Sequence, residues 1–150
     1  MLKDNIKMTG ELKLTLTNEK GDVTKEVIIP NTVVTVGKNF IASRMKDATA
    51  TAMSHMELGT GTTGAVVANT TLETVIASSR TSLTSTTVTT NSVAYVVTFG
   101  AGVGTGAVTE AGIFNASSAG TMLCRTTFSV INKAAADTQG ITWTVTVNEE

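Results

Sequence analysis

The segment Ile141-Thr142-Trp143-Thr144-Val145-Thr146-Val147 alternates apolar residues with threonine without a break. A repeat of two residues predicts a β-strand with one face buried and the other in contact with solvent. The rest of the chain has the same bias, since thirty of its 150 residues are threonine. β-Branched hydroxyl residues suit a pleated, half-exposed surface. The sequence therefore predicts antiparallel sheets with a neutral, hydroxyl-rich exterior, better suited to packing against neighbours than to chemistry.

Composition restricts the class of protein. The 150 residues predict a single domain over 1–150 that needs neither a disulfide nor a metal to fold. The net charge is −1 and only 15% of residues are charged, so we expect no nucleic-acid partner. A surface so poor in charge also predicts self-association. No apolar run reaches transmembrane length, so we expect no membrane partner and synthesis in a cytoplasm-like compartment.

Strand and turn signals in the first half predict a hairpin, a third strand and a helix. Leu12, Leu14 and Leu16 share one face of the first strand. From Gly37 onward the apolar spacing becomes helical, which predicts a short amphipathic helix that plugs one end of the fold. The predicted strands are 11–17, 23–29, 32–36 and 53–58, the helix is 38–46, a small-residue link covers 47–52, and residues 71–79 are either helical turns or loop.

The second half alternates more regularly and completes the fold prediction. Residues 81–90 and 92–99 flank Asn91 as a long hairpin. Further strands are predicted at 110–115, 121–130 and 139–147. About eight short strands with turns between them predict an all-β protein, an antiparallel β-sandwich with one short helix. Residues 1–10 form a polar leader that we expect to become ordered in an assembly.

Two glycine clusters are the most prominent loop motifs. Gly59 to Gly64 matches a G-x-G-x-x-G pattern, but no βαβ succession surrounds it and no acidic residue follows about twenty positions later. Gly100 to Gly106 lacks the lysine of a phosphate-binding loop and is typical of a mobile loop tip with positive φ angles. We therefore predict no cofactor site and interpret the glycines as candidate interface loops: Gly59, Gly61, Gly64, Gly100, Gly102, Gly104 and Gly106.

No residue pattern predicts catalysis or metal binding. His55 is the only histidine, and a nucleophilic relay would need a serine and an acid brought to it by the fold. One histidine, the lone Cys124 and four scattered aspartates have no metal-ligand spacing, so no metal site is predicted. Paired carboxylates can be assembled only by the fold, and the candidates are Glu57, Glu73 and Glu110. Trp143 and Cys124 are interpreted as core residues.

Several segments together resemble a group of small structural proteins of tailed bacteriophages. The first part is the run Ser54 to Thr62, followed by Thr71-Leu72-Glu73 and Arg80. The second part consists of Val108 to Asn115, Gly120 to Phe128, and Ile141 to Val145, in the order and approximate spacing of that group. The resemblance extends over roughly residues 30–147 and implies no catalytic residues.

The resemblance implies a virion component with a β-sandwich domain found in tail-fibre-associated and capsid-associated proteins. Because the chain consists almost entirely of this one domain, we favour a capsid decoration, or cement, protein that binds the major capsid protein, as trimers. The alternative is a tail or tail-fibre component that contacts tail proteins, with receptor or glycan binding as its possible activity. We expect a non-enzymatic protein located in the virion.

Overall fold

The computed structural model describes residues 5–46 and 49–149. It is an all-β fold of two five-stranded antiparallel sheets with one short helix, so the predicted β-sandwich is confirmed. The elements are β1 Ile6–Thr17, β2 Val23–Pro30, β3 Thr32–Val33, α1 Thr35–Arg44, β4 His55–Gly59, β5 Thr81–Ser82, β6 Ser85–Thr89, β7 Ser92–Phe99, β8 Gly106–Phe114, β9 Met122–Lys133 and β10 Thr138–Glu149.

The first sheet has the strand order β2-β1-β10-β7-β6 and is built around the alternating segment 141–147. In its central register Leu12 lies opposite Trp143, which lies opposite Tyr95. Leu12 and Trp143 are fully buried, and the indole Nε1 of Trp143 donates a hydrogen bond to Asn31 Oδ1 at 2.9 Å. The threonines of the same segment point to the opposite face, as the period of two predicts.

The second sheet has the order β3-β9-β8-β4-β5, and its inner face closes the core. Met56, Ile113 and Cys124 follow one another across β4, β8 and β9 and are fully buried. Burial raises the pKa of the Cys124 thiol, which makes it an unreactive core residue. The predicted core positions of Cys124 and Trp143 are therefore confirmed.

The third strand is shorter than predicted because the helix begins earlier. Only Thr32 and Val33 pair with β9, and α1 starts at Thr35 instead of Lys38. Gly37 lies so close to the backbone of Leu123 that a Cβ atom there would be 2.8 Å from the Leu123 Cα. Gly37, where the apolar spacing changes, thus allows the helix to lie close to β9.

The predicted strand 81–90 is divided between the two sheets. Leu83 N–H bonds to Ser54 O at 2.8 Å, whereas Thr84 N–H bonds to Val96 O at 2.7 Å, so the chain crosses from one sheet to the other at this point. β5 therefore pairs with β4, and β6 pairs with β7. Alternation alone cannot show which partner each half of such a segment selects.

Other boundaries differ from the predictions by a few residues. β1 begins at Ile6, inside the predicted leader, and the leader residues 1–4 lie outside the described part of the chain. Residues 71–79 are loop and turn, not helix, apart from a single bridge between Val75 and Gly59. Within the link predicted at 47–52, residues 47 and 48 are also outside the described part.

Candidate functional site

The outer face of the second sheet carries charged side chains that lie beneath a long loop. Glu57, Gly112 and Arg125 are neighbours across β4, β8 and β9, and Glu110 lies in the adjacent row. Residues 60–80, between β4 and β5, cover this face, and we call them the covering loop. Glu110 is fully buried and Arg125 is 2% exposed, so these charges are held inside the protein.

Glu110 and Arg125 form a buried ion pair that binds the covering loop to the sheet. Arg125 Nε and Nη2 lie 2.9 and 2.8 Å from Glu110 Oε2. The Glu110 carboxylate also accepts hydrogen bonds from three backbone N–H groups of the loop: Gly61 at 3.0 Å, Glu73 at 3.0 Å and Thr74 at 2.8 Å. A buried carboxylate is stable only when its oxygens are paired in this way.

The guanidinium of Arg125 is directed at protein groups of the loop, not at a ligand. Its Nη1 donates to Asn69 Oδ1 and its Nη2 donates to Thr63 O, both at 3.0 Å. Glu73 Oε2 lies 3.6 Å from Nη2. A groove with a volume of about 510 Å³ opens above this cluster. Because all three guanidinium nitrogens already have partners, the groove offers no free cation to an anionic ligand.

Glu73 closes the rim of the same cluster. Its carboxylate accepts hydrogen bonds from Thr63 N–H at 2.8 Å and from Thr63 Oγ1 at 2.9 Å. These hydrogen bonds lower the pKa of Glu73, and the bond from the Thr63 backbone has the largest effect. The nearby Arg125 charge lowers this pKa further. Of the three candidate carboxylates, the structure thus brings Glu73 and Glu110 together. Arg125 lies between them and contacts both, so the pair has a structural role.

Glu57 takes part in a second ion pair at the other end of the covering loop. Arg80 Nε donates to Glu57 Oε2 at 2.5 Å, and Arg80 Nη1 donates to Ala116 O at 2.8 Å. The guanidinium carbon lies 3.7 Å from the centre of the Phe114 ring, a cation–π contact. Arg80 therefore anchors the end of the loop to β4 and to the turn after β8.

His55 has serine hydroxyls at both ring nitrogens. Ser54 Oγ lies 2.8 Å from Nδ1 and Ser82 Oγ lies 3.2 Å from Nε2. Burial, and secondarily the charge of Arg80, lower the pKa of the imidazole, which favours the neutral ring. In a nucleophilic relay a carboxylate orients the histidine, and here a serine hydroxyl occupies that position. The contacts of His55 instead connect β4 to β5.

The seven glycines predicted as interface residues fall into two environments. Gly59, Gly61 and Gly104 are buried, and a Cβ atom on Gly61 would lie 2.6 Å from Glu110 Oε1. Their role in the structure is close packing. Gly64 and Gly102 are exposed, and Gly100 and Gly106 are half-buried. The predicted positive φ angles are present at Gly102, Gly104 and Gly106. An interface role for the four accessible glycines stays a prediction.

The largest uniform surface is the outer face of the first sheet, which we call the hydroxyl face. Short hydroxyl side chains from β1, β10, β7 and β6 cover it, and its charges lie on β1 and β2, at Lys7, Glu11, Lys13 and Glu26. Lys13 and Glu26 form an exposed ion pair at 3.4 Å. The hydroxyl residues are Thr9, Thr15, Ser85, Thr87, Thr89, Ser92, Thr98, Thr142, Thr144 and Thr146.

Comparisons with protein-family models, curated proteins and solved structures gave no match for this chain. In the described part of the chain no group of three or more acidic, histidine or cysteine side chains could hold a metal ion. No helix there has the length and apolar character needed to cross a membrane.

Sequence reasoning missed Arg80 and Arg125 as the organising residues. Both lie inside the segments that carry the phage resemblance, together with their partners Glu57, Glu73 and Glu110. A signal was available, because charged residues in otherwise apolar strand segments of a charge-poor chain require partners. The side chain of Arg125 bonds to residues up to 62 positions away, and these contacts depend on the sheet register.

Proposed function

We propose that this protein is a structural component of a tailed-bacteriophage virion, and specifically a decoration protein that binds the outer surface of the capsid. The observation that carries the proposal is the hydroxyl face, a broad and nearly uncharged sheet surface. The resemblance of several segments to phage structural proteins also supports it, and these segments include both ion pairs that hold the covering loop.

The hydroxyl face suits binding to a large protein surface. Threonine on a strand has few rotamers, so little side-chain entropy is lost when a partner covers it. Each hydroxyl can both donate and accept a hydrogen bond, and few charges must be desolvated. A partner built from repeated capsid subunits would meet several copies at once, and such multivalent attachment makes release slow.

The proposed partner is the major capsid protein, and the proposed arrangement is trimers at threefold or quasi-threefold positions, where one unit bridges several capsid subunits. In this arrangement the protein works by binding energy alone, since the area it buries at the joints between subunits opposes their separation. The surface proposed to face the shell is the outer face of a hydrogen-bonded five-stranded sheet, so the domain presents a rigid surface to its partner.

The copy number per particle tests the proposal. Quantitative mass spectrometry of purified virions should find on the order of hundreds of copies, because a lattice offers many equivalent sites. About three, six or twelve copies would instead assign the protein to the tail. Absence of the protein from the particles would overturn the virion proposal itself.

The binding face can be tested with purified capsids that lack the protein. Thr144→Asp places a charge at the centre of the hydroxyl face, and we expect it to weaken capsid binding by about tenfold or more. The control is Ser117→Asp in the exposed turn between β8 and β9. Equal binding by both variants would show that another surface contacts the capsid.

A further inference from the structure

The edge strand β6 is the only element of the described sandwich whose whole length is both exposed and free of charge. Its residues Ser85–Thr89 are all exposed, and Val88 is 72% exposed. β6 lies at the end of the first sheet, with β7 on one side and no described strand on the other. From residue 81 to residue 109 the chain contains neither a charged residue nor a proline.

The opposite edge of the same sheet is protected in the usual way. β2 carries Lys25 and Glu26 in its middle and ends at Pro30. Charges and proline on an edge strand prevent it from pairing with another chain, and proteins commonly use them for this purpose. Since one edge of the sheet carries these features and the other lacks all of them, the unprotected edge is suited to pairing.

Two residues of β6, Thr86 and Val88, have backbone groups that point to the open edge. Val147 N–H bonds to Asn91 O at 2.9 Å, so Asn91 faces β10 and, by alternation, Ser92 and Ala94 face β6. Their register partners on β6 are Thr89 and Thr87. Thr86 and Val88 therefore direct their N–H and C=O groups away from β7, to the open side.

We propose that β6 pairs antiparallel with β6 of a second copy of this chain, about a two-fold axis at Thr87. This register uses the whole strand: Thr87 faces the partner's Thr87, and Thr86 faces the partner's Val88. Four backbone hydrogen bonds form between Thr86 and Val88 of the two chains. β-Branched side chains meet in the three central pairs and Ser85 faces the partner's Thr89, with no like charges opposite each other, which is the favourable case for cross-strand pairs.

The pairing joins two five-stranded sheets into one continuous sheet, so the hydroxyl faces of the two copies become one surface. A five-residue strand buries less area than the roughly 1,200 Å² of a small stable interface. The dimer is therefore concentration-dependent in solution and is reinforced when both copies are held on a common support. The inference does not rest on the virion proposal, since it concerns the purified protein alone.

Sedimentation velocity over a concentration series tests the pairing. In solution, away from the capsid lattice on which trimers are proposed, we expect the wild-type protein to shift reversibly from monomer to dimer as its concentration rises. Thr87→Lys places two like charges directly opposite each other and should weaken self-association by about tenfold or more. Thr98→Lys makes the same change on the same face but on the adjacent strand β7, at an exposed position away from the open edge, and should leave self-association unchanged.

A disulfide trap tests the register. Thr87 directs its backbone groups away from the second copy, so the two Thr87 Cα atoms lie about 4.5 Å apart, within disulfide range. Under mild oxidation Thr87→Cys should yield a covalent dimer and Thr98→Cys should not, while the native Cys124 is buried and unreactive. A protein that stays monomeric up to about 1 mM, or equal cross-linking of both variants, would overturn the inference and leave capsid binding untouched.

Discussion

At the scale of single residues, the stability of this fold depends on a few charges that the charge-poor sequence places inside it. Glu110 is fully buried, and its oxygens are shared between Arg125 and three backbone N–H groups of the covering loop. Such a carboxylate is tolerated while every partner is present, and its desolvation becomes a net cost when one partner is lost. The same chemistry would hold a substrate in an enzyme, but here it fixes a loop.

Removal of the Arg125 charge should be strongly destabilising. Arg125→Met leaves the Glu110 carboxylate buried without its ionic partner, and we expect a loss of about 3–5 kcal/mol in the free energy of unfolding. Urea denaturation measures this loss. The control is Lys13→Met, which breaks the half-exposed pair with Glu26 and should cost less than about 1 kcal/mol. Similar losses of unfolding free energy for the two variants would show that breaking the buried Glu110–Arg125 pair costs no more than breaking an exposed pair.

Glu73 should make the covering loop sensitive to acid. Its folded-state pKa lies below the ordinary 4.5, so its ionised form favours the folded loop. The stabilisation is fully present above the unfolded pKa and is lost as pH falls through the folded pKa. The amide resonance of Thr63, which donates to Glu73, should report this loss in an NMR titration below pH 4.5. In Glu73→Gln the same resonance should show no such transition.

At the scale of secondary-structure elements, alternation in the sequence predicts most of the strands. Leu12, Leu14 and Leu16 are buried as their spacing requires, and Thr142 and Thr144 are on the opposite face. The prediction fails where two sheets compete for one segment, as at Leu83 and Thr84, because sequence period does not encode the choice of partner strand. It leaves residues 71–79 open between helical turns and loop, because the covering loop is held by contacts of Glu110, Arg125 and Leu72 and not by a local repeat.

The covering loop should open locally when its apolar anchor is removed. Leu72 is buried in a small cluster with Val34, Phe114 and Met122 above Gly112. Leu72→Ala removes most of this side chain, and we expect a loss of about 2–5 kcal/mol. Hydrogen exchange should accelerate at the Thr74 and Ile76 amides, which bond to Glu110 and to Leu58 O.

The matched control for this experiment lies in the same loop. Val66 is 54% exposed, so Val66→Ala removes little buried area and should leave the exchange rates nearly unchanged. Faster exchange in both variants would indicate that the loop is generally loose. Unchanged exchange in Leu72→Ala would indicate that the ion pairs hold the loop without the help of packing.

At the scale of the whole molecule, the two outer faces of the sandwich differ in how their polar groups are paired. The outer face of the second sheet uses its charges internally, to bind the covering loop through Glu110 and Glu57. The hydroxyl face of the first sheet leaves its polar groups at the surface. Both the proposed capsid contact and the proposed β6 pairing use the first sheet, so a second copy on β6 enlarges the surface that faces the shell.

The covering loop and the sandwich should unfold together as one cooperative unit, as expected for the single domain predicted from chain length. The ion pairs of Glu110 and Glu57 connect the loop to β8 and β4, and these strands enclose the core around Trp143. At neutral pH, urea unfolding followed by Trp143 fluorescence and by the Thr63 amide resonance should give coincident transitions. In Leu72→Ala the amide transition should precede the fluorescence transition, because the loop then loses its apolar anchor. Separate transitions in the wild-type protein would show that the loop is an independent unit, resting on a sandwich that is stable without it.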